Sequence, residues 1–86
     1  MTSTQEIVLN AVNAVVLRRQ KTHRVPECAL RSEIRDQLNA YSPTGHDMPS
    51  CRDTDDALQW LVNHGFLKAT LAVNEMTYYV LPPANN

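Results

Sequence analysis

The sequence predicts an α+β domain of three helices and a small antiparallel sheet, with a β-hairpin at its C-terminal end. Apolar residues recur at helical spacing in three segments: a broad apolar run over residues 7–17, Leu30, Ile34 and Leu38, and the face made by Thr54, Ala57, Leu58, Leu61 and Val62. Beyond Gly65 the periodicity changes. Phe66–Val73 and Met76–Leu81 are rich in β-branched and aromatic residues, as strands are.

The first helix is predicted over about Ser3–Arg19. Ser3 or Thr4 caps it, and Glu6 stands three residues after Ser3, as in a capping box. Its apolar residues cover more than half of the helical circumference, leaving Glu6, Asn10 and Asn13 as a polar strip, so the helix is expected to be buried on two sides. It is therefore either the central helix of the domain or one covered by a second protomer. A basic link, Arg18–Arg24, leads into a short extended piece at His23–Val25, because Pro26 biases Val25 toward β geometry. Proline is well placed in a first helical turn, so the second helix is predicted over about Pro26–Asn39, with Leu30, Ile34 and Leu38 inward and a Glu27–Arg31 pair outward. Ala40–Pro49 is a loop. Ser50 caps the third helix, whose early acids Asp53, Asp55 and Asp56 complement the helix dipole. Its outward face is Arg52, Asp56, Gln59 and Asn63, with Trp60 at the border and Gly65 as a left-handed terminator. The hairpin turns near Asn74-Glu75, and Pro82-Pro83 ends the last strand.

The chain has 86 residues, enough for one domain with flexible ends at about residues 1–3 and 83–86. Domains this short bury only roughly 60 % of their unfolded surface, so each large apolar residue matters. Net charge is −1, which does not advertise a nucleic-acid partner. The charge is polarised, however. Residues 1–46 hold six basic groups against four acidic ones, and residues 47–86 hold two against five. No signal peptide or membrane-length apolar run is seen, and Cys28 and Cys51 lack paired spacing, so a reducing cytoplasm, free thiols and no membrane partner are expected.

The order helix, short strand, helix, helix, hairpin resembles the winged helix-turn-helix superfamily over most of residues 3–82. The stretch that carries the likeness is Asp56-Ala-Leu-Gln-Trp-Leu-Val-Asn-His-Gly-Phe-Leu67, followed by a hairpin ending Tyr78-Tyr-Val-Leu81. It is similar to the family's third helix, in which leucines pack inward before a glycine and an apolar pair start the wing. The resemblance implies a winged-helix-like three-helix domain with a hairpin wing. Two features set this chain apart: Ala40–Pro49 is longer than the family's usual turn, and the third helix offers Arg52 alone beside three aspartates.

No nucleophile elbow or Gly-rich phosphate loop is present, and the chain has only two glycines. Asp53, Asp55 and Asp56 are too close together to act as separated general acid and base, so no enzyme activity, catalytic residue or cofactor is expected. His46, Asp47 and Cys51 would need His23, His64 or Cys28 to complete a zinc site, and a solvated loop is the simpler account. Two binding readings remain. In the first, which the superfamily favours, the partner is double-stranded DNA. Arg18, Arg19, Lys21, Arg24, Arg31, Arg35 and Lys68 contact phosphates, and Arg52, Gln59 and Asn63 face bases in the major groove. In the second, which the charge map favours, the domain docks a protein through Trp60, Asp53 and Asp56. Core packing beneath the hairpin is the plain alternative for Trp60. Either reading accommodates a homodimer through the first helix.

Overall fold

The computed structural model describes residues 1–23, 28–41, 49–72 and 75–80. The elements run α1 (Ser3–Lys21), β1 (Ala29–Leu30), α2 (Arg31–Tyr41), α3 (Cys51–Asn63), β2 (Leu67–Ala72) and β3 (Glu75–Val80). The strands form one antiparallel sheet in the order β1-β3-β2. The α+β class of three helices and a small sheet is as the sequence predicts.

Helix α1 starts at Ser3 as expected, but its cap lies one residue earlier than the Ser3 expected. Thr2 is the cap: its hydroxyl accepts from the Gln5 N–H at 3.2 Å, and the Gln5 side-chain oxygen Oε1 accepts from the Thr2 N–H at 2.8 Å. This is the same reciprocal capping box, built on Thr2 and Gln5 in place of Ser3 and Glu6. The helix also runs further, to Lys21. It stops where His23 enters the left-handed region at φ 56° and its N–H turns back to the Gln20 carbonyl. His23 therefore closes a helix and does not open a strand.

The short strand lies later than expected, at Ala29–Leu30, and α2 begins at Arg31. Pro26, Glu27 and the rest of residues 24–27 lie outside the described residues. Cys28 and Ala29 are both buried, and Ala29 and Leu30 pair with Tyr78 and Thr77 on β3. Strand pairing and burial thus override helical continuation, and Leu30 leaves the expected helical stripe for the sheet. Ile34 and Leu38 keep their inward places.

Helix α3 begins at the expected cap, with the Ser50 hydroxyl accepting from the Asp53 N–H at 3.0 Å. Its end is a Schellman motif. The Gly65 N–H bonds the Val62 carbonyl and the Phe66 N–H bonds the Leu61 carbonyl, with Gly65 at φ 81°. Phe66 then stacks on Trp60, their ring centroids 5.9 Å apart, supplying the apolar contact that accompanies this motif. The hairpin register pairs Ala72 with Glu75, so Glu75 is a strand residue and not part of the turn. Residues 73–74 and 81–86, including Asn74 and Pro82-Pro83, lie outside the described residues.

The core lies between the helices and one face of the sheet: Val8, Val12 and Val15 from α1, Ile34 from α2, Leu58 and Leu61 from α3, and Leu67 and Tyr78 from the sheet. Truncating a fully buried member, as in Leu58→Ala, is predicted to cost about 2–5 kcal/mol in urea unfolding. Leu71→Ala, at a side chain 69 % exposed, should change stability by no more than about 0.5 kcal/mol.

Candidate binding site

The basic residues assigned to phosphate contact do not form one free surface. From α1, Arg18 donates to the Gln37 side-chain oxygen and Arg19 to Glu33 at 2.5 Å, both across to α2. Arg19 is buried, and its guanidinium is held above its ordinary range mainly by that hydrogen bond to Glu33, against the cost of burial. From α2, Arg31 forms a two-point contact with Asp55 at 2.8 and 2.5 Å, and Arg35 donates to the Thr54 hydroxyl at 3.1 Å and the Pro49 carbonyl at 3.3 Å. Arg18, Arg19, Arg31 and Arg35 are thus inter-helix ties, α1 to α2 and α2 to α3. Arg31 and Asp55 meet edge to edge, a planar guanidinium against a carboxylate 24 residues on; Glu27, expected to pair with Arg31, lies outside the described residues. Lys21, Arg52 and Lys68 are exposed and have no ion-pair partner among the described residues; Arg24 lies outside them.

The residues assigned to base contact do share the exposed face of α3. Arg52, Gln59 and Asn63 are all exposed, and Gln59 donates to Asn63 one turn on, at 3.0 Å. The same helix presents Asp53 and Asp56 to solvent.

The residues assigned to protein docking come together. Asp53, Asp56 and Trp60 line one open cleft of about 410 Å³, whose other wall is the first turn of α1, with Thr2, Thr4 and Gln5. Trp60 is half-buried and is the middle of an aromatic stack. His64 lies over it at 3.9 Å with its Nδ1 against the Trp60 carbonyl at 2.9 Å, and Phe66 lies beyond at 5.9 Å. Trp60 is therefore partly a packing residue, in the helix stop, and partly a cleft wall. The α1 wall was not legible in the sequence, because it depends on how α1 and α3 pack. The His64 stack was, since His64 stands four residues after Trp60 on a helix.

A second cleft, about 550 Å³, opens between the starts of α2 and α3 and the hairpin. Its carboxylate is already placed: Glu75 accepts from the Ser32 N–H at 2.6 Å and so caps α2 from the sheet. Cys51 is an exposed thiol in this cleft, whereas Cys28 is buried; both are free. His46 and Asp47 lie outside the described residues, and no group of three metal-ligating side chains occurs among the described ones. Among them, too, no helix is long and apolar enough to cross a membrane.

The two ion pairs should differ in energy. Glu33→Gln, which breaks a pair whose side chains are 9 % and 25 % exposed, is predicted to cost about 3 kcal/mol in chemical denaturation. Asp55→Asn, at a pair 45 % and 42 % exposed, should cost about 0–1 kcal/mol and less in high salt. The Tyr78 phenol is pushed above its ordinary range, first by burial and then by the Asp55 carboxylate, with Arg31 opposing. Above about pH 10 the unfolded tyrosine releases its proton while the folded one retains it. Stability should therefore fall as pH rises beyond that point, and Tyr78→Phe should reduce the fall, with absorbance near 295 nm reporting the late ionisation. Comparison with protein-family models, curated proteins and solved structures found no match, so the function of this site is argued from its geometry.

Proposed function

We propose that the chain is a non-enzymatic binding domain of the winged-helix type that docks a basic segment of a partner protein in the cleft of Asp53, Asp56 and Trp60. The observation that carries this reading is the division of the charges. Arg18, Arg19, Arg31 and Arg35 are held by internal contacts, while Asp53 and Asp56 stand exposed beside an aromatic wall. An open cleft with two carboxylates and an aromatic wall suits a lysine or arginine side chain, whose charged head gains an ion pair while its apolar stem packs against the ring. The order of elements and the β1-β3-β2 sheet support the winged-helix likeness. The two free thiols are in keeping with a cytoplasmic protein.

Double-stranded DNA is the weaker partner on this geometry. Asp53 and Asp56 would approach phosphates on the face that carries Arg52, Gln59 and Asn63, and few uncommitted cations flank them.

Fluorescence anisotropy with a labelled lysine- and arginine-rich peptide, and separately with a labelled mixed-sequence duplex, tests the proposal. The peptide is expected to bind, Asp53→Asn/Asp56→Asn to weaken it roughly tenfold, equivalent to about 1.4 kcal/mol, and Trp60→Ala to weaken it further. Duplex binding at about 50 mM salt, with a steep salt slope that Arg52→Ala and Lys68→Ala flatten and no response to the peptide, would overturn it.

A further inference from the structure

Helix α1 carries two large apolar side chains, Ile7 and Leu17, among polar residues on the side facing away from the core. Val8, Val12 and Val15 are buried, yet Ile7 and Leu17 are 39 % and 50 % exposed. Ser3, Ile7, Asn10, Ala14, Leu17 and Lys21 are spaced alternately by four and three residues, the spacing of a coiled-coil seam, with Ile7, Ala14 and Leu17 as its apolar members. All but the half-buried Ala14 are exposed, and Leu38 of α2 floors a shallow groove of about 300 Å³ beside Ile7 and Ala14. A facing helix would bury Ile7, Ala14 and Leu17 together.

We infer that this seam is a homodimer interface in which α1 of a second copy packs antiparallel across a twofold axis near the middle of the helix. Charge sets the direction. The acidic group of α1, Glu6, lies in its first turn, and the basic groups Arg18 and Lys21 lie in its last. Parallel pairing stacks the basic ends of both copies on each other. Antiparallel pairing brings Glu6 within reach of Lys21 of the second copy and sets the two helix dipoles head to tail. The seam is then self-complementary, as a twofold interface must be. Ile7 meets Leu17 of the second copy, and Asn10 meets Ala14, whose small side chain leaves room for the amide. Polar positions within a seam fix register at some cost in stability. The docking cleft lies on a different side of α1 and stays open in the dimer, so this inference does not rest on the proposed function.

Sedimentation of the full chain over a concentration series to about 500 µM should show a species of twice the 9.7 kDa chain mass, because one helical seam is a small interface. Leu17→Glu, at a position exposed in the single chain, should give a monomer with an unchanged circular dichroism spectrum. Orientation is read by crosslinking in a Cys51→Ser background with a short bis-maleimide. Asn13→Cys places two thiols beside the twofold axis and should give a covalent dimer. Ile7→Cys places them about 15 Å apart, ten residues at 1.5 Å rise, and should not. A monomer at every concentration, a dimer that survives Leu17→Glu, or preferential crosslinking through Ile7→Cys would each overturn the inference.

Discussion

The carboxylate of Glu33 is the point on which the arrangement of the helices and the sheet depends. One oxygen receives both the Arg19 guanidinium at 2.5 Å and the Leu30 N–H at 3.0 Å. The first contact ties the end of α1 to the first turn of α2. The second satisfies a backbone donor at the point where β1 gives way to α2. With that junction fixed, Ala29 and Leu30 are held in register against Tyr78 and Thr77, and the central strand β3 has a neighbour on each edge. Arg31 and Arg35 repeat the device between α2 and α3, and Glu75 repeats it between the hairpin and α2.

These ties commit four arginines of the basic N-terminal half, Arg18, Arg19, Arg31 and Arg35, to contacts between helices. A charge counted along the sequence is a charge available to a partner only where folding leaves it uncommitted. Here the arginines are drawn into junctions between elements, where a planar donor array satisfies several acceptors that a core of valine and leucine cannot. The acids are distributed differently. Asp55 and Glu33 are paired, while Asp53 and Asp56 face solvent beside Trp60, so the exposed balance on α3 is acidic. Gly65 adds a further link between stability and recognition, since the Schellman stop that it permits sets Phe66 against Trp60 and fixes the indole as a wall of the cleft.

Much of this was legible in the sequence, and the misses have physical causes. The third helix was readable to its cap and terminator because Ser50 and Gly65 act locally. The α+β class followed from periodicity. The boundary between β1 and α2 was not readable, because Cys28 and Ala29 join the sheet through long-range burial that no local signal reveals. The capping box slid by one residue because Thr2 with Gln5 and Ser3 with Glu6 satisfy the same pattern. The trio of Asp53, Asp56 and Trp60 was visible as a helical face, but the cleft wall that α1 sets opposite them required the fold. The internal contacts of Arg18, Arg19 and Arg31 were not readable for the same reason: their partners Gln37, Glu33 and Asp55 are distant or unremarkable in sequence.

Amide and indole chemical-shift mapping of the full chain tests most directly whether the cleft, and not the basic residues, is the recognition surface. Titration with a lysine- and arginine-rich peptide is predicted to shift the Trp60 indole N–H and the amides of Asp53, Asp56 and Thr4, leaving those of Lys21 and Lys68 in place. Shifts confined to Lys21, Arg52 and Lys68, appearing with a DNA duplex and not with the peptide, would contradict the account.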